Sequence, residues 1–240
     1  MAKFIKLKHT PIKEIIFTIS FKENVDDNIL KEFISLPIIK ERFPIQNKGF
    51  NARVNSSQNN QLPTANVSAD GYILQKELPQ KKLLQARRGS FSMHLVNDYE
   101  NFETLIEEFT QYWNLLLNCS GSLSVYFISV RYLNFIEFKE DDTVEQLITI
   151  NTKHPFGTKI QNAYTQHSFV YDKNPSILIN VISLIGKNEN KDGIVLDLIL
   201  NKKIDITNDF SFSSFDDMRE AKNDTFFKSV TEFTINRYNQ

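Results

Sequence analysis

The sequence predicts an α+β fold, a mostly antiparallel sheet with two long helices on one face, in one domain over residues 1–240. Three observations predict it. Several segments alternate apolar and polar residues with the period of two that marks a half-buried strand. Two long segments, from Asn97 to Gly121 and from Ser214 onward, repeat apolar residues at helical spacing. The order β-α-β-β-α occurs twice, which suggests two similar halves, 1–120 and 121–240.

In chain order, Ile15, Phe17, Ile19 and Phe21 alternate with Glu14, Ile16, Thr18 and Ser20, so a strand follows Pro11. Asp26 to Leu36 reads as a short helix stopped by Pro37. The polar stretch Gln46 to Asn66 reads as a loop, or as a weak edge strand followed by a loop. Strands are expected over Val67–Leu78 and Lys81–Val96, joined around Pro79-Gln80. Asn97 and Glu100 have the spacing of a capping box before the apolar series Phe102, Leu105, Phe109, Trp113 and Leu116. Ser122 to Phe138, rich in Val, Ile, Tyr and Phe, is a long strand. Asp141 or Asp142 caps a brief helix through Ile148, and a loop holds His154-Pro155-Phe156-Gly157. Strands follow at Tyr164–Tyr171, Ser176–Ile185 and Gly193–Asn201, with a hairpin turn in Lys187–Asp192 that ends in Asp192-Gly193. Ser214 and Asp217 open the last helix, which Lys222-Asn223-Asp224 divides.

Composition narrows the function classes. Apolar residues are 41% and charged residues 24%, enough for a packed core and too apolar for general disorder. A net charge of −1 argues against a general electrostatic grip on nucleic acid or anionic lipid. Cys119 is the only cysteine, so a disulfide framework is excluded and a reducing, cytoplasmic location is expected. No apolar run reaches membrane-spanning length, and the N-terminus lacks the apolar core of a signal peptide.

Four segments carry a family resemblance. Pro11-Ile12-Lys13-Glu14 leads into the first strand; Leu83 through Phe91 continues to Tyr99-Glu100-Asn101-Phe102. Val130-Arg131-Tyr132-Leu133-Asn134 lies in the long strand, and Phe215 through Phe226-Phe227 lies in the last helix. Together they resemble a sporadically distributed family of uncharacterised bacterial proteins with an N-terminal Pro-x-x-Glu strand motif and an Arg-Tyr-x-Asn strand motif. The chain has one proline where that family often has two, and it lacks a histidine frequent in the family's last helix. The resemblance implies a compact bacterial α+β protein and no particular activity. A patchy distribution is that of accessory genes, including mobile-element and phage-defence cargo.

The chemistry-bearing residues are sparse. His9, His94, His154 and His167 form no H-x-x-x-H or H-E-x-x-H pattern, so neither metal nor cofactor is predicted. Seven dispersed glycines build no phosphate-binding loop. Arg87-Arg88 on a strand would point to opposite faces and form no single patch. What remains is a polar alternation class. Glu14, Arg87, Arg131 and Asp197 fall opposite the apolar class, which gathers them on the sheet face away from the helices, with an ion pair such as Glu14–Arg131. That face is either a ligand- or partner-binding surface or a set of ion pairs that fixes strand register. Phe210 and Phe212, outside any strong periodicity, are interface candidates.

The sequence therefore favours a non-enzymatic interaction protein with a protein partner or a homo-oligomeric state, as an accessory or sensor component of a defence or toxin-type operon. The alternative is an enzyme or sensor that binds a nucleotide or nucleic acid on the polar sheet face.

Overall fold

The computed structural model describes residues 7–55, 64–77, 81–97, 99, 101–150, 163–205 and 210–240, and within them the chain forms nine strands and six helices. In order these are β1 (Ile12–Phe21), α1 (Asp27–Ser35), α2 (Pro37–Arg42), β2 (Ile45–Asn55), β3 (Thr64–Gln75), β4 (Lys82–Ala86), β5 (Ser90–Val96), α3 (Phe102–Ser120), β6 (Val125–Glu137), α4 (Val144–Leu147), β7 (Tyr164–Val170), β8 (Ile177–Asn188), β9 (Lys191–Lys203), α5 (Ser214–Ser229) and α6 (Glu232–Asn239). The strands form one antiparallel sheet in the order β2-β3-β4-β5-β1-β6-β9-β8-β7. The chain divides into two compact units. The N-terminal unit is Thr18–Leu95 with Asn101–Tyr126; the C-terminal unit is Met1–Phe17 with Val96–Glu100 and Phe127–Gln240.

In the N-terminal unit, Ile19 and Phe21 of β1 are buried while Thr18 and Ser20 are half-buried, as a period of two requires. Asp26 caps α1 by accepting from the Asn28 N–H at 2.8 Å, and Pro37 begins α2 at a position whose N–H would have no helical partner. The Gln46–Asn66 stretch begins as a full edge strand, β2, paired with β3 through a register shift between Lys48 and Phe50; residues 56–63 lie outside the described set. Polar side chains concealed the strand because an edge has little to bury. Lys81–Val96 is two strands rather than one: β4 turns at Arg87–Gly89 into β5. The two arginines therefore sit in a turn, not on a strand. The helix cap is Asn101, accepting from the Thr104 N–H at 2.8 Å, and not Asn97, whose positive φ of 55° turns the chain before the helix starts. Glu100 lies outside the described residues, as does Pro79-Gln80.

Aromatic rings dominate this unit's core. Phe91 of β5 stacks on Phe109 of α3 with centroids 5.6 Å apart and planes 4° from parallel. Phe33 meets the edge of Phe91 at 5.8 Å, and Trp113 lies against both Phe91 and Phe21. Such pairs contribute about 0.5–1.5 kcal/mol each beyond area burial.

In the C-terminal unit, β6 pairs with β9 so that Tyr132 faces Leu198, and β9 pairs with β8 so that Leu198 faces Val181. The β8–β9 hairpin turns on Glu189-Asn190, both with positive φ (50° and 67°), the conformation that matches strand twist in a two-residue turn. The turn thus falls inside the Lys187–Asp192 connection, while Asp192-Gly193 itself belongs to β9. Gly193 lies in β9, where a Cβ would come within 2.5 Å of the Ile136 carbonyl. Helix α5 packs on β9 and sets Phe215 edge-on to Phe17 of β1, 5.7 Å between centroids. It runs unbroken through Lys222-Asn223-Asp224 and stops at Ser229. Val230 then bridges to Ile148, and α6 begins beyond it. Ser213 precedes α5 with no side-chain cap, and Asp217 instead receives Lys202 at 2.9 Å. The cap of α4 is Thr143 rather than an aspartate, in a capping box with Gln146. The loop around His154-Pro155-Phe156-Gly157 lies outside the described residues.

Candidate functional site

Alternation sorts the C-terminal unit's strands into two faces. Tyr132, Leu198 and Leu200 are buried on the side where α5 packs, and Arg131, Asp197, Ser129 and Asn201 belong to the other class. Because Leu133 pairs with Asp197, Arg131 lies diagonal to that carboxylate on the same face. Arg131 Nε donates to both Asp197 oxygens at 2.9 and 3.0 Å, and Nη2 donates to Oδ2 at 2.7 Å. The Asp197 side chain is 7% exposed and that of Arg131 41%, so the pair is anchored from below and open above. The bonds to Asp197 hold the guanidinium above its ordinary pKa, and Glu14 adds a smaller attraction. Asp197 is thus bonded to Arg131, and Glu14 also attracts its charge.

Arg87 belongs to the N-terminal unit. Its Nη1 lies 3.4 Å from Asp70, its Nε donates to Gln85 Oε1 at 2.9 Å, and Gln85 in turn bonds His94 at 3.2 Å. His94 also meets Ser92. The sequence pointed to Gln85 and Arg87 on one polar class but not to Asp70, Ser92 and His94 as their partners. A second network in this unit links Lys82 to Glu108 at 2.6 Å, Glu108 to the Tyr112 hydroxyl at 2.7 Å, and that hydroxyl to Arg42.

Phe210 and Phe212 are half-buried and pack against each other and against the buried Phe215, with centroids 5.1–6.2 Å apart. Cys119 is half-buried, and burial, with Glu32 nearby, pushes its thiol above the ordinary range, so little of it is the reactive thiolate.

The C-terminal unit holds a cleft of about 420 Å³ beside the last turns of α5. Its β side comes from β7 and β8, where His167 pairs with Val181 and Phe169 with Ile179. Its helix side is Asp224, Thr225, Lys228 and Ser229. The hydroxyls of Thr225 and Ser229 bond back to the carbonyls of Ala221 and Thr225, so these small side chains are satisfied within the helix. Between the two sides, Asp224 Oδ2 accepts from the Tyr171 hydroxyl at 2.7 Å and from Lys173 Nζ at 2.6 Å. Burial pushes the Asp224 carboxyl up, but the bonds from Lys173 and Tyr171 outweigh it and hold the group below its ordinary value. Burial, then Asp224, pushes the Tyr171 hydroxyl up to about 12. Further along the inner side of α5, the Lys222 ammonium lies 4.6 Å over the Tyr132 ring. Burial, with Arg219 nearby, pushes it down to about 8.

None of the cleft residues was singled out from the sequence. A signal existed: Met218, Lys222, Thr225 and Ser229 follow one another at helical spacing, which puts polar residues on the stripe that packs inward. Among the described residues no group of three or more His, Cys, Asp and Glu comes together, and no helix is long and apolar enough to cross a membrane.

The edge of β7, which no other strand pairs among the described residues, is the remaining feature. It is the last strand in the sheet order, and its seven residues carry no Lys, Arg, Asp or Glu. Tyr164 is 62% exposed, Phe169 41% and Val170 51%, with Leu178 of β8 beside Val170 at 42%. Comparison with known proteins finds no family model and no curated protein that matches the chain.

Proposed function

We propose that the chain is a non-enzymatic interaction protein that self-associates through β7. One observation carries the reading: β7 is an uncharged, exposed edge strand that is complementary to itself. Antiparallel pairing of two copies about His167 sets Tyr164 against Val170, Thr165 against Phe169 and Gln166 against Ser168. Aromatic residues opposite β-branched ones are among the favourable cross-strand pairs, and a two-fold interface of this kind needs only one patch per copy. Edge strands that must stay alone usually carry a lysine or proline, and β7 has neither.

Light scattering and sedimentation test this directly. The wild type is expected to be dimeric at micromolar concentration, and Gln166→Lys to weaken association by at least about tenfold while the monomer stays folded. A wild type that is strictly monomeric at high micromolar concentration overturns the reading.

Membership of the sporadic bacterial family, and with it a role as an accessory or sensor component of a defence or toxin-type operon, belongs to the same proposal. The Pro11–Glu14 and Arg131–Asn134 motifs support it, since they open β1 and line β6. The reading of two related halves, each closed by a long helix, is supported by the strand order. In each half the first strand lies innermost, the next lies at the outer edge, and the rest return inward. A nucleotide or nucleic acid on the polar face is the weaker reading. Arg131 is open to solvent there, but Asp197 already cancels its charge. A thermal shift with nucleotides that Arg131→Gln abolishes would favour it.

A further inference from the structure

We propose that the cleft between β7–β8 and the end of α5 is a binding site for a small aromatic anion that carries an N–H donor. A volume of about 420 Å³ is that of a small-molecule site, and its lining is mostly apolar with a few placed polar groups.

Three features define the ligand. The first is a fixed acceptor. The Asp224 side chain is 9% exposed, and its Oδ2 takes both Tyr171 and Lys173, which leaves Oδ1 without a protein donor among the described residues. A carboxylate clamped through one oxygen and open at the other is matched by an N–H or O–H from a guest. The second is a flat apolar wall. Phe169 is 41% exposed on the strand next to buried Val181, and Ile150 also lines the cleft. An aromatic ring gains most from such a wall. The third is a rim of N–H donors. Lys228 follows Asp224 by one helical turn, and His167 precedes Phe169 by two residues on the same strand face. Neither makes a side-chain hydrogen bond or ion pair among the described residues. Lys228 and His167 are suited to one carboxylate or phosphate group, while Lys173 is spent on Asp224 and Glu220.

Two sources share this chemistry, a purine nucleoside monophosphate and an indole carboxylate. Saturation-transfer NMR and calorimetry with AMP, GMP and indole-3-acetate separate them, with uncharged adenosine as the comparison. At least one of the three anions is expected to bind in the millimolar range or tighter. Lys228→Glu should weaken that anion about tenfold while leaving adenosine unchanged, and Phe169→Ala should weaken every probe that binds. Both positions are exposed, and a melting curve verifies folding. If Phe169→Ala fails to fold, Lys228→Glu decides alone. Absence of binding by all three anions overturns the site, as does binding that Lys228→Glu leaves untouched. Failure here leaves β7 self-association standing, because that is read from the oligomeric state of the unliganded protein.

Discussion

Inside the N-terminal unit, α3 lays Phe109, Tyr112, Trp113 and Leu116 against its neighbours. Inside the C-terminal unit, α5 lays Met218, Lys222, Thr225 and Ser229 along the corresponding stripe. The first set interlocks rings and fills its space. The second presents short hydroxyl side chains satisfied within the helix and a lysine over a phenol ring, and beside its last turns the walls stand apart as the cleft. One inner surface is shaped for stability; the other gives up packing and gains a polar, occupiable volume. Proteins commonly divide labour in this way, because binding surfaces come from the less densely packed parts of a fold.

The contrast is broken most directly at Phe91, which is fully buried and touches Phe33, Phe109 and Trp113. Phe91→Ala should cost about 3–5 kcal/mol in urea unfolding. A loss no greater than that of an exposed substitution would erase the distinction between the two interiors.

The C-terminal unit's own strong point is polar. Arg237 Nη2 donates to both oxygens of Asp142 at 2.7 and 2.8 Å, with side-chain exposures of 13% and 6%. Asp142→Ala leaves a buried guanidinium without its carboxylate and should cost about 2–4 kcal/mol. Burial raises the Asp142 carboxyl, but Arg237 and the Lys139 N–H outweigh it and the folded value lies below the ordinary one. This contribution is therefore present above the unfolded pKa, near 3.9 for a free aspartate, and is lost as pH falls through the folded value. Acid titration of the wild type against Asp142→Asn should show that loss only in the wild type.

The smallest effect has the opposite sign. Lys222 is charged at neutral pH in an environment that pushes its ammonium down to about 8, whereas in the unfolded chain it titrates near the ordinary lysine value of about 10.4. Between those values the unfolded chain holds more protons, so stability rises with pH across that window. Lys222→Met should raise stability at pH 7 by about 1–2 kcal/mol and remove the rise. Urea midpoints from pH 7 to 10 measure both, and a destabilised variant would mean that the contact with Tyr132 outweighs the burial of the charge.

Much of this was legible where one period ran long. β1 alternates over most of its length, β6 alternates from Ile128 to Asn134, and Asp197 sits between Leu196 and Leu198, which assigns Arg131 and Asp197 to the polar class. Which carboxylate reaches Arg131 depends on register, here Leu133 opposite Asp197, and no local pattern encodes it. Turns were harder. Glu189-Asn190 adopts a conformation usually given to Asn-Gly, and the β4–β5 turn is marked only by Gly89 after two arginines. The end of α5 was misplaced because three polar residues in a row resemble a break, although the helix buries part of them. Beyond the polar stripe of α5 the cleft was out of reach, since it forms where segments some 50 residues apart in sequence meet, as Tyr171 and Asp224 do.

The strand order also has a consequence for synthesis. The second to fifth strands return the nascent chain to β1, so these five strands can pair while the remainder is still being translated. Until β6 leaves the ribosome, however, β1 has one bare flank with unpaired amides. A pause in elongation ahead of Val125 would prolong that exposure, so the tempo of translation across the middle of the message governs how much newly made protein reaches its native state rather than clumping.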